Sequence, residues 1–312
     1  MTAYILRRLW QMLPTMLGVI LLVFILFNWV GGDPAYILAG KMSNPQQIAN
    51  IRAQLGIDQP YYVQLWIFIK QIATFNFGAS WSTGETVAHV ILTRIGPSLT
   101  VLIPLTILET FIAIALALAI AFVRGSLTDR LVMVACTVGM SISILVYIIV
   151  FQYWLAYKMG LFPVQGWGNS LAENFFRYSL LPILIGLAVS VAPTLRLFRT
   201  FVLDEVNQDY VRTARAKGVS ERRIVWVHVL RNAAIPIITY VMSNLPSLLI
   251  GVFLIERFFG IPGIGREVIL AVERSDFPVI KAITVYVAAA TMLFNLLTDL
   301  MYQAVDPRVQ LR

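Results

Sequence analysis

The sequence predicts an all-α, polytopic membrane protein with about six transmembrane helices and both termini cytoplasmic. Three observations carry this reading. Of 312 residues, 59% are apolar and 13% charged, with a mean hydropathy of +0.79. A soluble domain runs nearer half apolar and a quarter charged, and a soluble chain of this size must still clothe a large surface in polar groups. Second, the apolar residues gather into runs of about 20, the length that crosses a bilayer core as a helix. Third, lysine and arginine are denser in alternate connections, the usual sign of a cytoplasmic face.

The spans run from about Leu9 to Val30, Ser98 to Val123, Leu131 to Tyr157, Leu180 to Phe201, Ala233 to Ile255 and Val279 to Tyr302. Arg7 and Arg8 precede the first, as in a secretory leader. Its apolar run is too long for a leader core, and Gly31-Gly32-Asp33-Pro34 follows in place of a small-x-small cleavage site. It is read as a retained span. With the N-terminus inside, Arg124, Arg130, Arg196, Arg199 and the basic residues from Arg212 to Arg231 fall on the cytoplasmic side. The outer segments hold a sparser set over nearly twice the length. The net charge of +8 therefore marks membrane orientation rather than nucleic-acid binding.

The chain reads as one transmembrane domain, 1–312, with two long connections. Residues 31–97 form an external loop subdomain. Asn44-Pro45 opens one helix there, with Ser43 or Asn44 as N-cap, and Gln59-Pro60 opens another. The second carries Val63, Leu65, Trp66, Ile69 and Ile72 at helical spacing, with aromatic content suited to the membrane surface. Residues 200–232 lie inside. Asp209 to Gly218 reads as a short helix stopped by Gly218. Ser220 caps a second, with Glu221 in its favourable first turn, that continues through Ile224, Val227 and Arg231 into the fifth span, where Pro236 kinks it.

Catalytic chemistry is poorly supplied. There is no phosphate-cradling Gly-x-x-x-x-Gly-Lys-Ser/Thr stretch, no Gly-x-Ser-x-Gly and no His-Glu-x-x-His. Cys136 stands alone, and His89 and His228 have no neighbour at ligand spacing. No catalytic, cofactor or metal residue is assigned, and the chain is not read as an enzyme. The helix before Gly218 is the most informative feature. Small residues at Ala214 and Ala216 let a helix seat closely in a partner, and Arg212, Arg215 and Lys217 suit acidic groups there. A basic helix lying on anionic lipid fits the same residues.

Asp209-Tyr210-Val211-Arg212-Thr213-Ala214-Arg215-Ala216-Lys217-Gly218, followed by Arg231-Asn232-Ala233-Ala234-Ile235-Pro236, resembles the cytoplasmic coupling loop of ABC importer permeases of type I, most closely the dipeptide/oligopeptide branch. The resemblance extends to Ile5-Leu6-Arg7-Arg8-Leu9, Gly32-Asp33-Pro34, Leu55-Gly56-Ile57-Asp58-Gln59-Pro60, Phe77-Gly78-Ala79-Ser80, Glu256 to Gly265 and Asp306-Pro307-Arg308. The chain departs from the broad importer pattern where Arg212-Thr213-Ala214 replaces a Glu-Ala-Ala start, and in a longer gap from Gly218 to Pro236.

The resemblance implies a machine in the bacterial inner membrane. Two related permeases form the pore as a heterodimer, two ABC ATPase subunits carry ATP and Mg, and an extracytoplasmic substrate-binding protein delivers cargo. This chain resembles the first permease, with the long external loop after span one. Asp209, Tyr210, Arg212, Thr213, Ala214, Arg215, Ala216, Lys217 and Gly218 are then the ATPase-coupling residues. The implied cargo is a dipeptide or oligopeptide; nickel chelates, opines, glutathione and haem are alternatives within the branch.

Several residues remain with two readings. Glu109 falls mid-span, where a carboxylate faces the bundle interior; it lines the path or bonds to a neighbouring helix. Asn244, Ser247 and Asn295 line the path or join helices. Asp299 near the inner end of the last span is expected to pair with Arg196 or Arg199. Pro262, Gly263 and Gly265 require a tight turn; with Arg266 and Glu267 they are candidate binding-protein contacts or a plain turn. An ion-coupled transporter or channel needs paired intramembrane acids, for which Glu109 alone is thin support. A membrane-embedded enzyme needs clustered nucleophile, acid and base, and no such cluster is legible.

Overall fold

A computed structural model describes residues 2–30, 33–39, 44–246 and 252–305. The described residues are helical throughout, apart from loops and a single antiparallel bridge between Ala79 and Thr86. The helices are α1 (Thr2–Ile25), α2 (Pro34–Ala39), α3 (Pro45–Leu55), α4 (Tyr61–Ala73), α5 (Val87–Phe122), α6 (Leu127–Ser141), α7 (Ile144–Phe151), α8 (Leu171–Glu173), α9 (Leu180–Val206), α10 (Asp209–Ala216), α11 (Glu221–Arg223), α12 (Leu230–Asn244), α13 (Phe253–Phe259), α14 (Ile264–Glu273) and α15 (Phe277–Val305). Wider, π-type turns follow α1 (Leu26–Val30) and α7 (Gln152–Lys158), and join α8 to α9 (Asn174–Ser179) and α11 to α12 (Ile224–Val229). Such turns keep the backbone bonded while rotating the faces before and after them.

By length and hydropathy, five described helical segments can cross a bilayer: Leu6–Asn28, Val87–Phe122, Leu171–Val206, Glu221–Asn244 and Phe277–Leu300. Leu127–Ser141 and Ile144–Lys158 pass the same test together, bent by 92° at the break between them, and give a sixth crossing where the pair is one span. The 36-residue α5 rises about 54 Å at 1.5 Å per residue, well beyond a hydrocarbon core of about 30 Å. It packs along much of α9, and this pair is the spine of the molecule.

Four apolar clusters hold the helices to that spine. One joins Ala113, Ala117 and Leu118 of α5 to Phe198 and Val202 of α9, Val211 of α10, Ile224 and Val229 of the following turn, and Ala233 of α12. A second, towards the opposite end of α5, gathers Val101 and Leu105, Ile148 of α7, Ile185 of α9, and Ile255 and Phe259 of α13. A third joins Val87 and Val90 of α5 to Ile264 and Ala271 of α14 and Val279 and Ala282 of α15. The fourth seats Phe68 of α4 against Ile20 and Val23 of α1 and Val285 of α15.

The two helices expected after Asn44 and Pro60 both form. α3 starts after Asn44, whose backbone N–H donates to Gln47 Oε1 at 3.3 Å. In α4, Leu65, Ile69 and Ile72 face the bundle together with Phe68, while Trp66 from the same expected stripe is exposed, as are Tyr61 and Tyr62.

Three expectations need correction. The third span is not one straight helix. It breaks at Ile142, where Ser143 caps a new helix by accepting from Leu145 N–H at 3.3 Å, and Ser141 turns back to donate to the Thr137 carbonyl at 2.8 Å. The helix of the fifth span stops short of the expected Ile255, and residues 247–251 of that stretch lie outside the described residues. It begins at Glu221 and α12 ends at Asn244, two residues before Pro246, which has no N–H to continue the ladder and disfavours helix in the residue before it. Asp299 pairs with neither Arg196 nor Arg199. Arg8 of α1 reaches it at 2.7 Å, Arg199 binds Asp129, and Arg196 contacts the Met140 sulfur at 3.7 Å.

Candidate functional site

The segment 209–218 folds as the expected short helix. Gln208 enters in extended geometry, and Asp209 occupies the first turn, where a carboxylate suits the helix dipole. Gly218 ends it at φ +76°, a left-handed conformation that a side chain resists. Gly218 N–H donates to the Arg215 carbonyl at 2.9 Å and Val219 N–H to the Ala214 carbonyl at 3.2 Å, satisfying carbonyls that the helix end leaves open. Ser220 takes the N-cap position of α11 without a side-chain cap bond. Glu221 instead meets Arg215 in a two-pronged pair, Nε to Oε1 at 2.7 Å and Nη2 to Oε2 at 3.1 Å. That pair raises the Arg215 pKa further and ties α10 to the start of the next span.

The inner face of α10 is anchored. Val211 is fully buried in the cluster with Phe198, Val202, Ile224 and Val225, and Ala214 and Tyr210 pack on its edge. Tyr210 Oη donates to Glu205 Oε2 at 2.8 Å, and burial pushes its hydroxyl up to about 12. The outer face carries Asp209, Arg212, Thr213, Arg215, Ala216 and Lys217, all exposed. Of the two alanines read as a contact stripe, only Ala216 faces outward. Close-packed side chains transmit displacement rather than absorb it. A push on α10 therefore reaches α5, α9 and α12 through one cluster.

The other sequence candidates are dispersed. Glu109 is partly buried on α5, and its Oε1 accepts from Thr194 Oγ1 of α9 at 2.5 Å; that hydroxyl lies 3.5 Å from Tyr240 Oη of α12. That bond joins α5 to α9. Asn244 Nδ2 donates to the Tyr240 carbonyl at 2.8 Å, and Asn295 is exposed on α15. Ser247 and the Asp306-Pro307-Arg308 ending lie outside the described residues.

Pro262, Gly263 and Gly265 form the turn between α13 and α14, and it wraps a buried carboxylate. Glu256, 1% exposed, accepts at Oε1 from Ser98 Oγ (2.8 Å) and Val252 N–H (3.2 Å), and at Oε2 from Arg266 N–H (3.0 Å). Ser98 Oγ also accepts from Ile264 N–H at 2.9 Å. Burial pushes the Glu256 carboxyl up, and these donors pull in the opposite direction. A Cβ on Gly265 would lie 2.9 Å from Phe253 N, so only glycine lets the chain pass. Gly263 and Gly265 are buried, and Glu267 is engaged by Arg94 at 3.2 Å. Pro262 and Arg266 keep partial exposure.

Sequence reasoning missed three buried acids that organise the chain. Asp276 accepts from Ser80 Oγ (2.5 Å), Trp81 N–H (3.1 Å), Ser82 N–H (3.2 Å) and Ser82 Oγ (2.8 Å), folding the Phe77-to-Gly84 loop over the start of α15. Asp129 takes both prongs of Arg199 at 3.0 and 2.8 Å and the Gly125 N–H at 3.0 Å. Glu256 is the third. The only signal for any of them was the polar loop 80–83, whose serines can turn around an acceptor. No group of three side chains able to hold a metal ion occurs among the described residues.

Comparison with known proteins accounts for nearly the whole chain. Residues 111–311 match the family described as binding-protein-dependent transport system inner membrane component, and residues 1–102 match the N-terminal component of such membrane proteins. A probable peptide ABC transporter permease protein of Sinorhizobium fredii is 33% identical over 312 residues, covering 99% of this chain and 100% of the relative. Glutathione transport system permease proteins of Salmonella typhimurium and Escherichia coli are each 34% identical, with 99% of both chains covered. The chain therefore belongs to the binding-protein-dependent, ABC-type importer family of inner-membrane permease components.

Proposed function

We propose that this chain is the first permease of a peptide importer and that α10 is its docking helix for an ATPase subunit. The observation that carries the reading is the two-faced build of α10: an exposed polar face, and an inner face fixed by Val211 into the cluster shared with α5, α9 and α12. A motor subunit closing on ATP would move α10, and the cluster would carry the motion to the spans. The chain supplies no phosphate-binding loop of its own, so ATP and Mg belong to partner subunits. Switching between inward- and outward-facing states then comes from differential binding of the two states by the motor, with no catalysis in this chain.

The assembly is a heterodimer with a second, related permease above two ATPase subunits, fed by an extracytoplasmic binding protein. α10 and both termini are cytoplasmic, and α2 to α4 form an external subdomain. Pro262 and Arg266, the partly exposed members of the α13–α14 turn, are the remaining candidates for binding-protein contact, and Asn244 and Asn295 for the path. The cargo is a short peptide, with glutathione as one member of that class; full-length relatives named for peptide and for glutathione transport support it.

A pull-down of the tagged chain from mild detergent tests the assembly. Recovery of a second permease and one or two P-loop ATPases, with vanadate-sensitive hydrolysis, is the expected result. Transport by the chain alone in liposomes without ATP would reject it.

A further inference from the structure

One cavity has no part in the coupling or in the assembly proposed above. It lies between the end of α1, α4, the loop 77–81 and the start of α15, with a volume of about 290 Å³. Lys281 stands on its wall, with Nζ 5.4 Å from the Phe27 ring centroid and 5.6 Å from that of Phe68. Two phenyl faces attract the ammonium without accepting its three N–H donors. Lys281 is partly buried, so those donors are open to a ligand in the cavity.

No carboxylate pairs with Lys281 among the described residues. An adjoining cavity of about 320 Å³ includes Asp33 and Asp58. Asp33 is held by Arg52, and no ion pair joins Asp58 to Lys281 among the described residues. The rest of the Lys281 wall combines amides, Gln54 and Gln71, with the aromatic rings of Trp81 and Phe277. Ammonium and amide N–H groups suit an oxyanion, and the rings suit an apolar body beside it. A space of this size lies at the lower edge of small-molecule sites.

We propose that this cavity binds an oxyanion, carboxylate or phosphate, borne on an apolar body, with Lys281 as its counter-ion. Two sources supply that chemistry. One is an anionic phospholipid of the bilayer, since Lys281 lies in the first turns of a membrane-spanning helix. The other is a soluble aryl carboxylate.

The test uses the purified complex, as isolated, in nanodiscs. One arm compares phosphatidylcholine discs with and without phosphatidylglycerol. The other titrates N-acetylphenylalanine against its neutral amide. The readout is the Tm of the permease chain. The expected result is a saturable rise with an anionic probe and none with its neutral counterpart. Lys281→Gln should raise the half-saturating amount at least about tenfold, and Lys281→Arg should restore it. A response confined to phosphatidylglycerol identifies lipid as the source, and one confined to the acid identifies a soluble ligand; either supports the site. The acid–amide and lipid comparisons are made on the unsubstituted protein, so they stand even where Lys281→Gln is not recovered. Equal responses to charged and neutral probes, no response to either anion, or a response that Lys281→Gln leaves intact would overturn the proposal.

Discussion

Arg215 grips Glu221 with two parallel bonds, at 2.7 and 3.1 Å, across the turn that Gly218 makes between α10 and α11. Both side chains remain about half exposed, so the pair contributes at most about 1 kcal/mol to stability. Its value lies in direction. The planar fork fixes the angle at which α10 leaves the bundle. Glu221→Gln should leave the Tm nearly unchanged while lowering transport per ATP hydrolysed, measured in proteoliposomes. A parallel loss of Tm and of both activities would make the pair merely structural.

The two ion pairs near the ends of the spans should behave differently. Asp129 has a side chain 7% exposed, and Arg199 one 21% exposed. Arg199→Ala strands a buried carboxylate and should cost about 3–5 kcal/mol. Asp299 and Arg8 are 23% and 43% exposed, and Asp299→Asn should cost about 1 kcal/mol or less. Denaturant titration in one detergent checks the ranking.

Glu109 and Thr194 share a 2.5 Å hydrogen bond between α5 and α9. Removing either partner should cost about 1–3 kcal/mol. The double variant Glu109→Leu, Thr194→Val should cost less than the sum of the two, because either change alone removes the same bond. Additive losses in a double-mutant cycle would contradict the pairing.

Glu256 gives a pH signature. Its folded pKa is raised, chiefly by burial. A raised carboxyl adds stability that is fully present below its unfolded pKa and lost as pH rises through the folded value. The Tm of the unsubstituted protein should therefore fall as pH rises upward from the ordinary carboxylate range. Glu256→Gln should start lower, since it rearranges three donors, and should lack that part of the slope. Identical slopes would contradict the assignment.

Hydrophobic runs made the spans legible, because the bilayer demands their length. Gly218, Asn44 and Pro60 made helix ends legible, because turn geometry restricts which residues serve there. The break at Ile142-Ser143 was hidden inside a continuous apolar run, where capping serines look like ordinary small residues. Pro246 stands inside an apolar run that reads as continuous span, which masks its effect on the helix. Partners across the fold were not legible: Asp299 stands near arginines of α9 in a one-dimensional topology yet meets Arg8 in three dimensions. Glu256 in α13 and Asp276 before α15 lie in segments that look exposed in sequence, and only folding surrounds them with donors. For α10, the residues were legible as a set, but their division was not. Ala214 faces the core and Ala216 faces out, a distinction set by Val211 finding its place in the cluster.

That division selects the most direct test of the account. Cys136 is the chain's single cysteine and is buried, so Cys136→Ser provides a cysteine-free background. Thr213→Cys or Ala216→Cys in that background, treated with a short thiol cross-linker in native membranes, should link the permease to a P-loop ATPase, with yield changing on ATP and vanadate. Tyr62→Cys on α4, exposed on the external segment, should give no such product. An ATPase adduct from Tyr62→Cys, or none from Thr213→Cys and Ala216→Cys in an assembly that still transports, would contradict the placement of α10 as the docking helix.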